Sequence, residues 1–256
     1  MTDRALRLLR YAQGILGLNS GDTLLASFPR SGSTWIRFFL CNLLSLRELD
    51  GHLVDFPRLD GTMVELGVSD LRVRWPYEAI PRVVKTHRPY SFLYSRAGRS
   101  ILVIRDPRDA AVSYYHYDQA KTRPRFQGDL GTFLRHRRFG LESWFRHYRS
   151  WVYHADHTIQ YEDLVDDARG TFDSLLRALD VESDDATVTE AIERSRFRSV
   201  RSIEESRGVT RKGAFGTGFR FARRGGTGGW SEHFSNQDRL YYARLHGDYG
   251  IGIYPP

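Results

Sequence analysis

The chain has 256 residues, 41% apolar and 13% aromatic, and a formal net charge of +7. That is enough apolar material for a sizeable core. A single cysteine, Cys41, excludes an internal disulfide and a cysteine-held metal site, and no apolar run reaches the length of a membrane span.

From the N-terminus, Arg4, Arg7 and Arg10 alternate with Leu6, Leu8, Leu9, Ile15, Leu16 and Leu18. This reads as an amphipathic helix packed on the domain. It lacks the continuous apolar core and cleavage site of a signal peptide, so a cytoplasmic protein is expected. Strands are predicted over 23–28, 82–86, 100–105 and 158–161. Helices are predicted over 33–46, 107–120, 128–139, 141–152, 163–179, 184–195 and 236–246. Strands alternating with helices imply an α/β fold, a mostly parallel central sheet with helices on both faces, in one domain spanning 1–256. Residues 47–81 carry weak periodicity and several turn residues, and read as an excursion beside the sheet. Residues 207–229 hold eight glycines and six basic residues, which reads as a mobile loop outside the core. Cys41 falls inside the first helix of this α/β pattern as a small core residue.

The first predicted strand runs into Ser27-Phe28-Pro29-Arg30-Ser31-Gly32-Ser33-Thr34-Trp35. Strand, small-residue turn and helix together form an anion site from backbone N–H groups and a helix N-terminus. Ser31, Ser33 and Thr34 add hydroxyls, Arg30 adds a charge, and Trp35 offers a flat ring for a nucleobase. An ordinary strand–helix turn would look much the same. The turn is P-loop-like but not a Walker A loop, which needs G-x-x-x-x-G-K-[ST].

Three further segments carry chemistry. Val83-Val84-Lys85-Thr86-His87 brings Lys85 and His87 to a strand end, where neighbouring cations keep the imidazole neutral and able to act as a general base. A surface histidine is the plainer alternative. Ile104-Arg105-Asp106-Pro107 begins a helix that carries Ser113. Arg105 and Ser113 both reach the crevice at the sheet's C-terminal edge, unless Arg105 merely pairs with Asp109. Arg211-Lys212-Gly213 can close over a phosphate.

Together these residues resemble the cytosolic-type sulfotransferases that use 3′-phosphoadenosine 5′-phosphosulfate (PAPS). Pro29 to Trp35 matches the family's 5′-phosphosulfate loop, with Arg30 where the family usually has lysine. Lys85 to Pro89 matches its Lys-Thr-His-x-Pro segment, and Arg105 to Ser113 its 3′-phosphate motif. Tyr161 to Leu164 matches its Tyr-Glu-Asp-Leu, and Arg211 to Gly213 its Arg-Lys-Gly. Ser195 and Phe197 match more loosely. The family's Gly-Asp-Trp-Lys corresponds only to Gly228-Gly229-Trp230-Ser231, which lies farther from Gly213 than is usual.

The resemblance implies in-line sulfuryl transfer from PAPS to a hydroxyl, leaving adenosine 3′,5′-bisphosphate (PAP), with no metal. His87 is the implied base, and Lys85 and Arg30 stabilise the bridging oxygen. The implied 5′-phosphosulfate contacts are residues 31–34. Arg105, Ser113, Arg211 and Lys212 take the 3′-phosphate, and Trp35 and Tyr161 frame the adenine.

A P-loop kinase would need the missing Walker lysine. A nucleic-acid-binding module fits the basic charge but leaves the motifs unexplained. The acceptor is a small-molecule phenol, alcohol, sugar or natural product. Phe56, Trp75, Tyr77, Phe92, Tyr94 and Tyr117 suit an apolar acceptor or the core, and the arginines between 121 and 138 suit an anionic or sugar one. No motif indicates an oligomeric state.

Overall fold

The computed structural model describes residues 3–209, 215–216, 219–222 and 224–256. In chain order its elements are α1 (Asp3–Leu16), β1 (Asp22–Ser27), α2 (Ser33–Glu48), α3 (Phe56–Thr62), β2 (Arg82–Thr86), β3 (Arg99–Ile104), α4 (Pro107–Gln119), α5 (Leu130–Arg135) and α6 (Leu141–Trp151). There follow β4 (His157–Gln160), α7 (Tyr161–Asp166), α8 (Ala168–Ala178), α9 (Asp185–Ser195), α10 (Phe197–Arg207) and α11 (Asn236–Tyr249).

The four strands form one sheet in the order β2-β1-β3-β4, and every pairing is parallel. Side chains alternate between faces along a strand, and here both faces are covered. Leu25, Val83, Ile101, Val103 and Ile159 enter the core shared with α2, α8 and α9. Leu24, Ala26, Val84, Leu102 and Ile104 enter the other, with α4, α6 and α11. This is the expected α/β architecture. Cys41 lies fully buried in the first core, and burial pushes its thiol up to about 11.

At the sheet's N-terminal edge Arg82 binds Asp22 through two 2.7 Å hydrogen bonds. Its remaining donors go to the carbonyls of Leu71, Val73 and Gly17. That ion pair is fully satisfied and clamps β1, β2 and the excursion together. At the opposite edge the chain leaves β1 toward β2, then returns to the other side of β1 as β3. The crevice between β1 and β3 is the topological switch point where open α/β sheets take ligands.

Several predicted boundaries need correction. The helix expected over 128–139 is the shorter α5, capped by the Asp129 carboxylate on the Thr132 N–H and ending before His136. The helix expected over 163–179 is two helices, because Asp167 takes non-helical angles and its carboxylate caps α8 at the Gly170 N–H. Residues 47–81 include α3, capped by Asp55. Helix α10 was not anticipated.

The described part of 207–229 does not hang free of the core. Ala222 is buried, and the Glu204 carboxylate accepts from the N–H groups of Phe221 and Ala222. The buried carboxylate of Asp109 accepts from the N–H groups of Gly228 and Trp230, at 2.6 and 2.9 Å. The alternative reading of Arg105, as a partner of Asp109, is not what the structure shows: Asp109 grips the tail instead. Among the described residues, no helix is long and apolar enough to cross a membrane.

Candidate active site

Residues Phe28 to Gly32 link β1 to α2 as a tight turn. Gly32 takes φ 105°, a region that disfavours any side chain. A β-carbon at Gly32 would lie 2.6 Å from Cδ2 of Tyr161, so the glycine lets this ring close over the turn. Arg30 also takes a positive φ, 71°. No side chain caps the start of α2, and its first N–H groups have no partner within the helix. Ser33, Thr34 and Trp35 line one large cavity of about 1370 Å³ together with Arg30 and Gly32. Ser31 lies behind this surface, fully buried with its hydroxyl unpartnered.

Tyr161, at the start of α7, and Trp35 meet edge-to-face with centroids 6.2 Å apart. The Arg105 guanidinium lies over the Tyr161 ring at 4.2 Å and donates to the carbonyls of Arg30 and Gly226, at 3.2 and 2.9 Å. The Arg30 side chain turns toward α4. Its Nε donates to Oγ of Ser113 at 3.2 Å and its Nη2 to the Phe221 carbonyl at 3.1 Å. Arg30 thus bridges the expected 5′ turn and the expected 3′-phosphate residue.

The end of β2 supplies two ionisable groups. Lys85 and His87, two residues apart, both line the cavity. Nδ1 of His87 lies 2.7 Å from the carbonyl oxygen of Ser27, on β1. A carbonyl only accepts, so the proton is on Nδ1 and Nε2 carries the lone pair. Burial, then the charge of Lys85, holds the imidazolium pKa well below its usual 6.5. Lys85 forms an ion pair with Glu65, Nζ to Oε2 3.1 Å. The edge of the excursion pairs with the strand here, through Lys85 N–H to Val64 and Leu66 N–H to Lys85. Burial lowers the Lys85 pKa and Glu65 opposes that shift.

Ser195 and Phe197 also line the cavity. The Ser195 hydroxyl is engaged with the Ile192 carbonyl at 2.9 Å, and Phe197 packs against Gly225. Arg211, Lys212 and Gly213 lie outside the described residues. Of the six aromatics weighed for the acceptor, Phe56 and Tyr117 line the cavity. Trp75 and Tyr77 pack on the first core, Tyr94 stacks on Trp151, and Phe92 is exposed.

Three residues of the wall escaped sequence reasoning: Arg37, His147 and Glu65. Arg37, on α2, is buried against Asp60 and the Met63 carbonyl. His147, on α6, is 4% exposed and its Nε2 has no partner. Burial drives its pKa down to about 3, and the Arg88 backbone opposes that shift. A histidine among Trp144, Phe145 and Trp151, on a helix otherwise apolar on that side, was the available signal for it. Glu65 lies in a segment without periodicity and offered none.

The cavity therefore joins a turn with free helix N–H groups, a second cationic cluster around Arg105 and Ser113, and a neutral imidazole beside a lysine. Comparison with known proteins finds relatives over most of the chain. Sulfotransferase 1B1 of Canis lupus familiaris is 26% identical over 195 residues, covering 70% of this chain and 66% of that protein. The 3-alpha-hydroxysteroid sulfotransferase of Cavia porcellus is 26% identical over a 274-residue alignment, covering 97% of this chain and 90% of that protein. Among solved structures, retinol dehydratase in complex with retinol and PAP superposes with a TM-score of 0.76 at 18% identity, over 98% of this chain and 88% of that one, a likeness of fold. The sulfotransferase domain profile matches residues 20–245, nearly the whole span from β1 to α11, and the chain belongs to the sulfotransferase domain family.

Proposed function

We propose that the cavity transfers the sulfuryl group of PAPS to the hydroxyl of a small-molecule acceptor, R–OH + PAPS → R–OSO₃⁻ + PAP + H⁺, within a single domain. The observation that carries this reading is the fixed tautomer of His87. Its Nδ1 is tied to Ser27, and Nε2 is left as a lone pair in the cavity that also holds the Arg30–Trp35 turn.

Each role follows from position. The N–H groups at the start of α2, with Ser33 and Thr34, take the 5′-phosphosulfate, where a helix N-terminus favours negative charge. Arg105 and Ser113 take the 3′-phosphate, and Trp35 and Tyr161 frame the adenine. Nε2 of His87 accepts the acceptor's proton as its oxygen attacks sulfur. The bond between sulfur and the 5′-phosphate oxygen breaks, and the leaving oxygen's charge meets Lys85 and the turn. Arg30, drawn toward Ser113, steadies both phosphate ends. Positioning and charge stabilisation carry such a transfer, as in phosphoryl transfer. A small-molecule acceptor suits the depth of the cavity, and the structural neighbour with retinol and PAP bound has the same fold.

The test is incubation with radiolabelled PAPS and a panel of phenols, alcohols and glycans, alongside calorimetry with PAP. Labelled sulfate ester and PAP binding are expected. Failure to bind PAP would overturn the reading.

A further inference from the structure

The cavity has a second end, beyond His87. Its wall there includes Phe28, Tyr114, Phe139 and His147, and Arg125, Arg138 and Arg146 also line it. The three arginines come from separate places: the loop after α4, the turn before α6, and α6 itself.

Charge pairing distinguishes these three, and Arg88, whose guanidinium lies over the Tyr11 ring, from most other charged groups of the wall. Four carboxylates line the cavity, and each is engaged. Asp60 meets Arg37, Glu65 meets Lys85, and Glu232 meets Arg224. Asp109 holds the backbone of Gly228 and Trp230. Lys121 is matched by Asp118 at 2.6 Å. No ion pair found among the described residues involves Arg125, Arg138 or Arg146. Arg30 and Arg105 belong to the other end of the cavity, with Ser113 and Tyr161.

The three cations are also held in place. Oδ2 of the buried Asp118 accepts from the N–H groups of Arg125 and Phe126, at 2.8 and 2.9 Å, which fixes where the Arg125 side chain leaves the loop. The Arg138 guanidinium lies over the Phe139 ring. Arg146 donates to the Arg137 carbonyl, tying α6 to the turn that bears Arg138. Burial raises the pKa of the Tyr114 phenol; Arg125 and Arg138 oppose that shift and Asp118 adds to it, so both guanidinium charges bear on one buried ring of the wall. Guanidinium groups gathered at a concave wall suit planar, bidentate recognition of oxyanions.

We propose that the acceptor is an anionic alcohol or phenol, whose hydroxyl reaches His87 while its carboxylate, sulfate or phosphate group docks among Arg125, Arg138 and Arg146. This rests on the sulfuryl-transfer reading above. The apolar stretch between the two ends, with Phe28, Tyr114 and Phe139, would hold the carbon skeleton.

The experiment uses 4-hydroxyphenyl alkanoic acids of increasing chain length and their primary amides, titrated into the PAP-saturated protein by calorimetry. At least one acid is expected to bind about tenfold or more tighter than its amide, ~1.4 kcal/mol. That preference should vanish in R125E/R138E, and PAP should bind the variant as it binds the parent. In transfer assays the same variant should raise KM for the acid and leave the amide's unchanged. Acids that bind no tighter than their amides, or a preference that survives the double substitution, would overturn the anionic subsite. Loss of PAP binding by the parent would instead overturn the donor assignment.

Discussion

Nδ1 of His87 donates to the carbonyl oxygen of Ser27 across 2.7 Å, from the end of β2 to the end of β1. The partner is a main-chain atom of the central strand, so the ring's orientation is set by the sheet itself. The proposed base is then already deprotonated in the ground state. His87→Ala should lower kcat by roughly 10²–10⁴-fold and leave PAP affinity within about twofold. Burial and Lys85 lower the pKa of His87, so the imidazole stays neutral as pH falls through 6.5. The acid limb of kcat/KM against pH should therefore lie below 6.5. A limb at or above 6.5 would mean that another group is the base.

Arg105 and Ser113 are assigned to the 3′-phosphate, so their removal should be felt by ligands that carry one. Arg105→Ala and Ser113→Ala should weaken PAP by about tenfold or more, ~1.4 kcal/mol, and adenosine 5′-monophosphate much less. Calorimetry with both nucleotides decides. Equal weakening would assign these residues to the turn's architecture, since Arg105 also holds the Arg30 and Gly226 carbonyls.

Gly32 should tolerate no side chain. Alanine there meets both the positive φ and a 2.6 Å approach to Tyr161. Such backbone strain costs on the order of 1–3 kcal/mol. Gly32→Ala should lower the melting temperature and weaken PAP at least tenfold. Adding Tyr161→Ala should recover part of the stability, by relieving the contact but not the backbone strain.

Buried neutral His147 makes stability depend on pH. Its folded pKa, about 3, lies below the ordinary value near 6.5, so the unfolded chain binds the extra proton between these limits. Stability is then full above about pH 6.5 and falls as pH drops. At pH 5.5 this one residue accounts for a loss on the order of 1 kcal/mol. Urea unfolding at pH 7.5 and 5.5 should show His147→Gln with the shallower pH dependence. Parallel curves for the two proteins would contradict the burial argument.

What was legible in the sequence follows from which signals are local. The alternation of Leu24, Leu25 and Ala26 across the sheet, and the hydroxyl-rich turn after them, are encoded in consecutive residues. So was the delivery of Lys85 and His87 by a single strand. Glu65, Ser27 and Asp109 act through partners 20, 60 and about 120 positions away, and nothing local distinguishes them from other acids and serines. Helix α10 escaped because its polar and charged residues outnumber the buried Val200 and Ile203. The break at Asp167 escaped because a capping aspartate inside an amphipathic run looks like one more exposed acid.

Asp109 and Glu204 hold the tail segment by its peptide N–H groups, at Gly228 and Trp230 and at Phe221 and Ala222. Every amino acid except proline carries that donor. At positions 221, 222 and 230 the anchorage is thus blind to side-chain identity, and forbids only proline. Of the wall that the tail gives to the cavity, Phe221 can change while its attachment survives, whereas Ala222 is buried and Gly225 lies against Phe197. A protein built this way can change a side chain that faces its ligand and keep the segment that carries it in place.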